Sequence, residues 1–372
     1  MLALRRVMVA LSLGFVIALG SAGVRPQAAP VTYVLIIDEL HDLGTLRGHV
    51  SSEARAINEN GAIAGSSTSS SGTHRAVFWA SPTSSPVNLG HLGGGWSEAW
   101  GINDAGIVVG RSGLIGDEQF GAFRWTQAGG MSDLGLVGLS IRGSPTTDAV
   151  ATDINNSDVI VGSVVDKFGM VGFLYGLGVV LAPSCQAGVL HSIVDAVNDD
   201  EFFTGNVWCK DGPPFVPYFA SFSATTLLPG QGVASITQGF AINAKNVIAG
   251  STRVDPAAYH AFRWSYTSGY KDIHPPDDTT FNSYARGIND DGLIVGSKRT
   301  GGASFAFVYT PGLKMKTLPG LCTWGSLTSQ SKAYAVNNSG WVVGTSKTCA
   351  GDDHATLWKV RVVVHGSIPG LP

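Results

Sequence analysis

The sequence predicts an all-β fold, a seven-bladed β-propeller built from seven repeats of about 46 residues with four strands per blade, and three observations carry that expectation. An asparagine recurs at Asn58, Asn103, Asn155, Asn198, Asn243, Asn289 and Asn337, at spacings of 45, 52, 43, 45, 46 and 48 residues. A period in that range belongs to solenoids, propellers and arrays. Each asparagine is flanked by short alternating runs, the pattern of half-buried strands. Charged residues are 14% of the 372 positions and glycine fills 49 of them, a composition of many short strands and tight turns.

Residues 1–22 read as a signal peptide. Arg5-Arg6 precedes an uncharged run from Val7 to Leu19 and then the small residues Gly20-Ser21-Ala22, the order of a secretory leader. An uncleaved anchor is the competing reading, because the uncharged run extends to Val24 and nears the roughly 18 to 20 residues that span a bilayer. Residues 23–31, with Pro26 and Pro30 and no periodicity, are expected to be a flexible lead-in, and residues 32–372 a single propeller domain.

Within each repeat a first run such as Ala54-Arg55-Ala56-Ile57-Asn58 meets a second, such as Ile63-Ala64-Gly65, across a short turn. Asn103-Asp104-Ala105-Gly106, Asn289-Asp290-Asp291-Gly292 and Asn337-Asn338-Ser339-Gly340 place glycine where a hairpin turn needs a left-handed residue. Asp158, Glu201 and Asn246 replace that glycine in three copies. Asn and Asp tolerate the left-handed region, whereas Glu201 is expected to be strained or to sit in a different turn. The recurrent asparagine invites a calcium-loop reading, but a side-chain cap onto backbone two residues on explains it more simply.

The third run, His260-Ala261-Phe262-Arg263-Trp264, and its counterparts Gly121 to Trp125, Val171 to Tyr175 and His354 to Trp358 put bulky residues on one face and Ala or Gly on the other. Bulky rows fill the shallow face of the next blade, so these aromatics are assigned to the core in preference to a carbohydrate platform. Fourth runs at Met131 to Gly135, Tyr270 to Ile273 and Met315 to Gly320 complete the blade. Tyr33 to Ile37 with Asp42-Leu43-Gly44 is a fourth strand lacking its first three, and it is expected to close blade 7. Arg361 to Val364 with Ser367 to Gly370 would then be a supplementary strand.

The combined pattern Asp-Leu-Gly, Ala-x-x-Ile-Asn-x-x-Gly-x-Val-Val-Gly and His-Ala-Phe-x-Trp is clearest at Asp42-Leu43-Gly44, Ala99 to Gly110 and His260 to Trp264. It resembles the HAF repeat family of extracellular bacterial repeat proteins, over nearly the whole mature chain. The resemblance implies secretion and a repeat scaffold and supplies no catalytic residues. The fourth copy departs most, at Val197 to Glu201 and Pro213 to Pro217, so an irregular blade is expected there.

Cys185 lies 13 residues before Asn198 and Cys209 lies 11 after it; Cys322 lies 15 before Asn337 and Cys349 lies 12 after it. Four cysteines allow three pairings, and the shared register selects Cys185 with Cys209 and Cys322 with Cys349. Zinc is the competing reading, disfavoured by the absence of any Cys-x-x-Cys and by export to an oxidising compartment.

No cluster of Lys or Arg offers an electrostatic footprint for nucleic acid, and no Ser-His-Asp, metal-protease or phosphate-loop signature appears. His260 and His354 recur at one repeat position that other copies fill with Gly, Val or Phe, which argues against a ring of metal ligands, and Arg124 and Arg263 read as strand residues whose stems cover apolar surface. The longer second-to-third and fourth-to-first connections should emerge on one face. That face carries the binding candidates Trp96, Arg111, Asp117, Glu118, Arg253, Asp255, Tyr259, Tyr284, Lys298, Arg299, Trp324, Asp352 and Asp353. The leading expectation is an exported monomeric scaffold, extracellular or periplasmic, that binds an unknown glycan or protein through this face. It would need no cofactor, no metal, no nucleic acid and no membrane span once the leader is removed. The reading leans against catalysis; its alternative is a carbohydrate-active hydrolase or lyase with a site at the central pocket, favoured if paired acidic groups converge there.

Overall fold

The computed structural model describes residues 32–175, 189–210, 216–221, 224–228, 237–255, 258–276, 282–324 and 327–365. The expected leader and lead-in and Ser367 to Gly370 lie outside those residues, as does Cys185. Every repeat folds as an antiparallel sheet, and the seven sheets form a seven-bladed propeller with no helix among the described residues. Blade 1 runs His49–Ile57, Ile63–Ser69, His74–Trp79 and Val87–Asn88 in spatial order. Its first strand lies next to the first strands of blades 2 and 7, so the first strands line the central channel. Six sheets carry four strands and blade 3 carries three among the described residues. The fourth copy was expected to be irregular, yet it forms all four strands, Val189–Val197, Phe203–Cys209, Val216–Ala220 and Thr225–Leu227.

The ring closes as expected, with the N-terminal strand as the outer strand of blade 7. Thr32–Gly44 pairs antiparallel with Asp353–His365 from Thr32 opposite His365 to Gly44 opposite Ala355. One expectation is corrected here: Arg361 to Val364 is not a supplementary strand but the continuation of the third strand, paired with Tyr33 to Ile36. The physical reason is that Trp358 to Val364 contains no turn residue, so the chain runs on past the blade. Arg361 bonds Asp38 at 3.0 Å and His354 bonds Asp42 at 2.9 Å across this closure.

The recurrent asparagines do more than cap their own turns. In each blade Oδ1 accepts the backbone N–H four residues on, as at Ala62, Ile107 and Leu293. The additional bond two residues on, the one expected, appears in blades 3 and 5. Nδ2 meanwhile donates to the main-chain carbonyl of the next blade's asparagine: Asn58 to Asn103, Asn103 to Asn155, Asn155 to Asn198, Asn198 to Asn243, Asn243 to Asn289, Asn289 to Asn337 and Asn337 back to Asn58, at 2.9 to 3.2 Å. These side-chain oxygens and amides are thus committed to backbone, which answers the calcium-loop reading directly. Asp158 and Asn246, in the left-handed turn position at φ 63° and 56°, accept a second bond from the Asn103 and Asn198 amides. Glu201 sits in the same turn at φ 62° with no such partner among the described residues, which is the strained arrangement.

All seven first strands carry a β-bulge at one repeat position, between Ala54 and Ala56, Ala99 and Gly101, Ala151 and Asp153, Val194 and Ala196, Gly239 and Ala241, Ala285 and Gly287, and Ala333 and Ala335. The kink drives a first-strand carbonyl against the facing second strand, where the sequence places Gly65, Gly110, Gly162, Gly205, Gly250, Gly296 and Gly344. A Cβ on any of them would lie 1.9 to 2.1 Å from that oxygen. Phe123, Phe173 and Phe262 lie over the glycine of their own blade, and Ala122, Ala261 and Ala355 are fully buried opposite the bulky rows, as expected of core. Ser52, Ser97, Ser192, Ser283 and Ser331 each accept a third-strand N–H of the preceding blade and lock neighbouring sheets together.

Three outcomes follow for thermal or denaturant unfolding. Glu201→Gly relieves a left-handed side chain and should raise stability by about 1 kcal/mol, whereas Gly250→Ala should lower it by at least about 2 kcal/mol through overpacking. Deleting residues 32–44 exposes the edge of blade 7 and should abolish a single cooperative transition; an unchanged melting curve would refute closure by this strand.

Candidate functional site

The extra residue at each bulge is turned toward the channel, because a bulge re-aims a side chain out of the strict alternation of a strand. The seven residues are Arg55, Trp100, Thr152, Asp195, Phe240, Arg286 and Tyr334. Thr152 bonds the Val194 carbonyl of blade 4 at 2.7 Å. The others supply a mixed charged and aromatic lining. Arg55 lies over the Trp100 ring at 5.2 Å and the Tyr334 ring at 5.4 Å, and pairs with Glu53 at 2.8 Å. Arg286 stacks over Phe240 at 4.2 Å and reaches Tyr284 at 5.8 Å. Asp195 takes a 2.5 Å hydrogen bond from Nδ2 of the buried Asn206, whose Oδ1 is fixed by the Gly239 N–H of blade 5.

Electrostatics couple these side chains across blades 1, 4, 6 and 7. Burial pushes the Asp195 carboxyl up to about 7, opposed by the Arg286 charge and then by the Asn206 bond. Burial also holds the Arg286 guanidinium below its ordinary range, while Tyr334 and Asp195 favour its charge and Arg55 opposes it. Burial, followed by the neighbouring Glu53, raises the Tyr334 phenol far above its ordinary range, so it stays protonated. Asp195 is half-buried and Arg286 is exposed, and the protein wall around them is what disfavours charge on both. Asp153, one place beyond the bulge of blade 3, is likewise pushed by burial up to about 7 while accepting the Val197 and Ile154 N–H groups.

The opposite mouth of the channel is different. A funnel of about 270 Å³ is lined by the layer containing Ile57, Ile102 and Ile288, then by the asparagines, then by Glu59, Asp104, Asp199 and Asp290. A second ring of bonds runs here, each backbone N–H meeting a side-chain oxygen of the next blade, from Glu59 to Asp104 through to Asn338 to Glu59. The Asp199-to-Ala244 link is missing because alanine has no acceptor. Burial raises the Glu59 pKa, with Asp104 and Asp290 adding to it.

The long-loop candidates are scattered around the upper mouth. Arg111 is held by Glu98 at 2.9 Å among the rings of Trp96, Trp100 and Phe120, each 5.3 to 5.4 Å away. Asp117 accepts the Gly95 N–H at 2.7 Å, Glu118 is exposed, and Arg253 donates to the Asp255 carbonyl at 3.1 Å. Tyr259 and Tyr284 have ring centroids 5.6 Å apart, which brings both toward Arg286. Lys298 and Arg299 end the second strand of blade 6, Trp324 falls in the short strand Thr323–Trp324, and Asp352 is exposed. Asp353 pairs with Lys347 at 3.3 Å and, with Glu53, Arg55, His74, Glu98 and Lys332, lines a groove of about 260 Å³. Three acidic side chains, Glu53, Glu98 and Asp353, therefore share one groove that reaches the bulge residue Arg55. The Cys322–Cys349 disulfide is formed, with Cα atoms 5.0 Å apart, and Cys209 is disulfide-bonded. His260 and His354 meet the aspartate of their own fourth strand, Asp272 at 2.7 Å and Asp42 at 2.9 Å. Arg124, expected only to cover apolar surface, reaches Asp158 of blade 3 at 3.2 Å.

The bulge residues were absent from the sequence-based candidates. Their signal lies in the repeat itself: Ala54-Arg55-Ala56, Ala285-Arg286-Gly287 and Ala333-Tyr334-Ala335 hold small residues constant around a position that changes from copy to copy.

A family model described as a protein of unknown function (DUF3466) matches residues 224–355. No curated protein matches the chain. Among solved structures the chain is similar to an oligogalacturonate lyase in complex with manganese (TM-score 0.55, 10% identity, covering 90% of this chain and 98% of that one). It is similar also to the propeller domain of the trilobed protease from Pyrococcus furiosus, which has an open velcro topology (TM-score 0.53, 8% identity, 83% and 94%). A third is a puromycin-hydrolyzing peptidase of Mycobacterium tuberculosis (TM-score 0.54, 12% identity), where the match spans 88% of this chain and about half, 54%, of the peptidase. At these identities the likeness shows the fold. It nevertheless corrects the inclination against an enzyme: neighbours of this architecture are a lyase and hydrolases, and the lack of a familiar catalytic signature in the sequence does not argue against catalysis on it. Among the described residues no three His, Cys, Asp or Glu side chains converge as metal ligands, so the manganese of that lyase finds no matching donor set here. No helix among the described residues is long and apolar enough to cross a membrane.

The raised Asp195 pKa sets a sign. The folded chain binds the proton more tightly than the unfolded chain, so this contribution to stability is present below about pH 4 and is lost as pH rises toward about 7. Asp195→Asn should therefore raise the melting temperature at pH 8, leave it nearly unchanged at pH 4, and flatten the profile between; an equal shift at both values would show that the carboxyl is not desolvated.

Proposed function

We propose that this protein is an exported carbohydrate-active enzyme, a hydrolase or lyase, whose site is the upper half of the central channel. The single observation that carries the reading is the convergence, from four blades, of Arg286, Asp195, Tyr334 and Arg55 on bulges of rigid first strands. Sites built on strands hold geometry more tightly than sites on loops, and a carboxyl pushed up to about 7 and coupled by charge to a guanidinium is a pattern of catalytic centres. The groove past Glu53 and Asp353 and the Tyr259–Tyr284 pair then serve as the approach for an extended chain. Similarity to an oligogalacturonate lyase supports a saccharide polymer as the substrate class. The export half of the proposal rests on the leader at residues 1–22, the HAF-type repeats and the Cys322–Cys349 disulfide, a bond that persists in oxidising compartments.

The test is release of new reducing ends from a panel of neutral and acidic polysaccharides by the purified mature chain. Activity on at least one polymer is expected, with Asp195→Asn lowering kcat by about 10²- to 10⁴-fold, the usual range for a proton-transfer group. An inert wild-type protein across the panel sinks the proposal.

A further inference from the structure

Hydrolysis by two carboxyl groups asks for one of them to be held as an acid and the other to be free as a base or nucleophile. The three carboxylates of the upper groove, Glu53, Glu98 and Asp353, do not fit that division. Glu98 is bound by Arg111 through two nitrogens at 3.0 and 2.9 Å, and Glu53 is bound by Arg55 at 2.8 Å. Asp353 is paired with Lys347 at 3.3 Å, so each of the three has a cation of its own.

The cation and the carboxyl left over are Arg286 and Asp195. Arg286 is held by its faces, against Phe240 and near Tyr284, and among the described residues no carboxylate lies within ion-pairing distance of it. Stacking fixes the plane of a guanidinium and leaves its N–H edge to pair with a planar anion in two parallel bonds. The channel thus presents an oriented cation without its anion. Asp195 is the carboxyl whose charge Arg286 feels, and it accepts a hydrogen bond from Asn206.

Resting on the enzyme reading above, we infer that the substrate is a uronate-containing polysaccharide and that the reaction is β-elimination, with Arg286 holding the uronate carboxylate, Asp195 as the base and Tyr334 as the proton donor. Asp195 removes the proton on the sugar carbon next to the carboxylate. The electron pair of that C–H bond becomes the C4=C5 double bond, the C4–O glycosidic bond breaks, and the departing oxygen takes the Tyr334 proton. Asp195 then returns its proton to solvent and Tyr334 regains one, so neither water nor a redox partner is consumed. Pairing the carboxylate with Arg286 is what makes the adjacent proton acidic enough to remove. A carboxyl pushed up to about 7 is a matched base for this step, and Tyr334, held protonated, carries the proton that the departing oxygen needs.

The experiment incubates the mature chain with polygalacturonate, alginate and hyaluronate, and with amylose and laminarin as neutral polymers. It reads reducing ends together with the ultraviolet absorbance of a double bond conjugated to a carboxylate. The expected result is both signals rising together on at least one uronate polymer and neither on the neutral ones. Arg286→Ala should lower kcat/KM by about 100-fold, with Arg286→Lys recovering only part because it keeps charge without the planar fork. Lys316→Ala, exposed on the outer strand of blade 6, should leave the rate unchanged, and thermal unfolding checks that each variant is folded. Reducing ends without ultraviolet absorbance, or cleavage confined to neutral polymers, overturns this inference and leaves the enzyme reading standing. Cleavage of no polymer at all overturns both.

Discussion

The ring of seven asparagine amides is the constraint on which the rest of the molecule depends. Each side chain closes its own turn with its oxygen and holds the neighbouring blade with its nitrogen, so both ends must be present on one short side chain. Aspartate has the acceptor without the donor, and glutamine would carry the amide past the carbonyl it meets. A buried hydrogen bond of this kind contributes only about 1 kcal/mol net, but a buried amide left without a partner costs about 1 to 3. The last link, Asn337 to Asn58, joins residues 279 apart in the chain. It can form only when all seven blades stand at the same height, so it couples ring closure to the register of every inner strand.

That register is what places the site. The bulge lies a fixed three residues before each asparagine, from Arg55 before Asn58 to Tyr334 before Asn337. A common height for the asparagines gives a common height for the bulge residues, and side chains from distant blades meet in one layer. The extra residue imposes its own condition on the facing strand, where only glycine escapes the carbonyl about 2 Å away. Framework and function are thereby separated within three consecutive positions: the flanking small residues and the opposing glycine serve the fold, while the residue between them is free to differ in every blade.

This separation explains what was legible in the sequence. The period, the strands, the aromatic rows, the closing segment at Tyr33 to Gly44 and the strain at Glu201 all follow from local spacing and turn chemistry, and the structure carries them. The asparagine looked like a local cap because its inter-blade partner is 43 to 52 residues away, beyond any local pattern, apart from the closing pair. Arg55 and Arg286 were passed over because strict alternation treats them as ordinary strand positions, and a bulge is invisible to alternation. Attention to long loops led to Arg111 and Asp117, both of which are engaged by their own neighbourhood. The trailing strand at Arg361 to Val364 was misassigned because its apolar character is the same whether it turns back or runs on.

The two ends of the channel now acquire a direction. The lower mouth holds Glu59, Asp104, Asp199 and Asp290 around a funnel floored by isoleucine and valine, and burial, with the charges of Asp104 and Asp290 adding to it, raises the Glu59 pKa there. An anion approaching from that side meets like charge and then an apolar layer. From the long-loop side it meets Arg55 and Arg286, of which Arg55 is neutralised by Glu53 and Arg286 is not. Low-dielectric walls focus such a field along the channel axis, so the asymmetry both selects the charge of what enters and sets the face from which it enters.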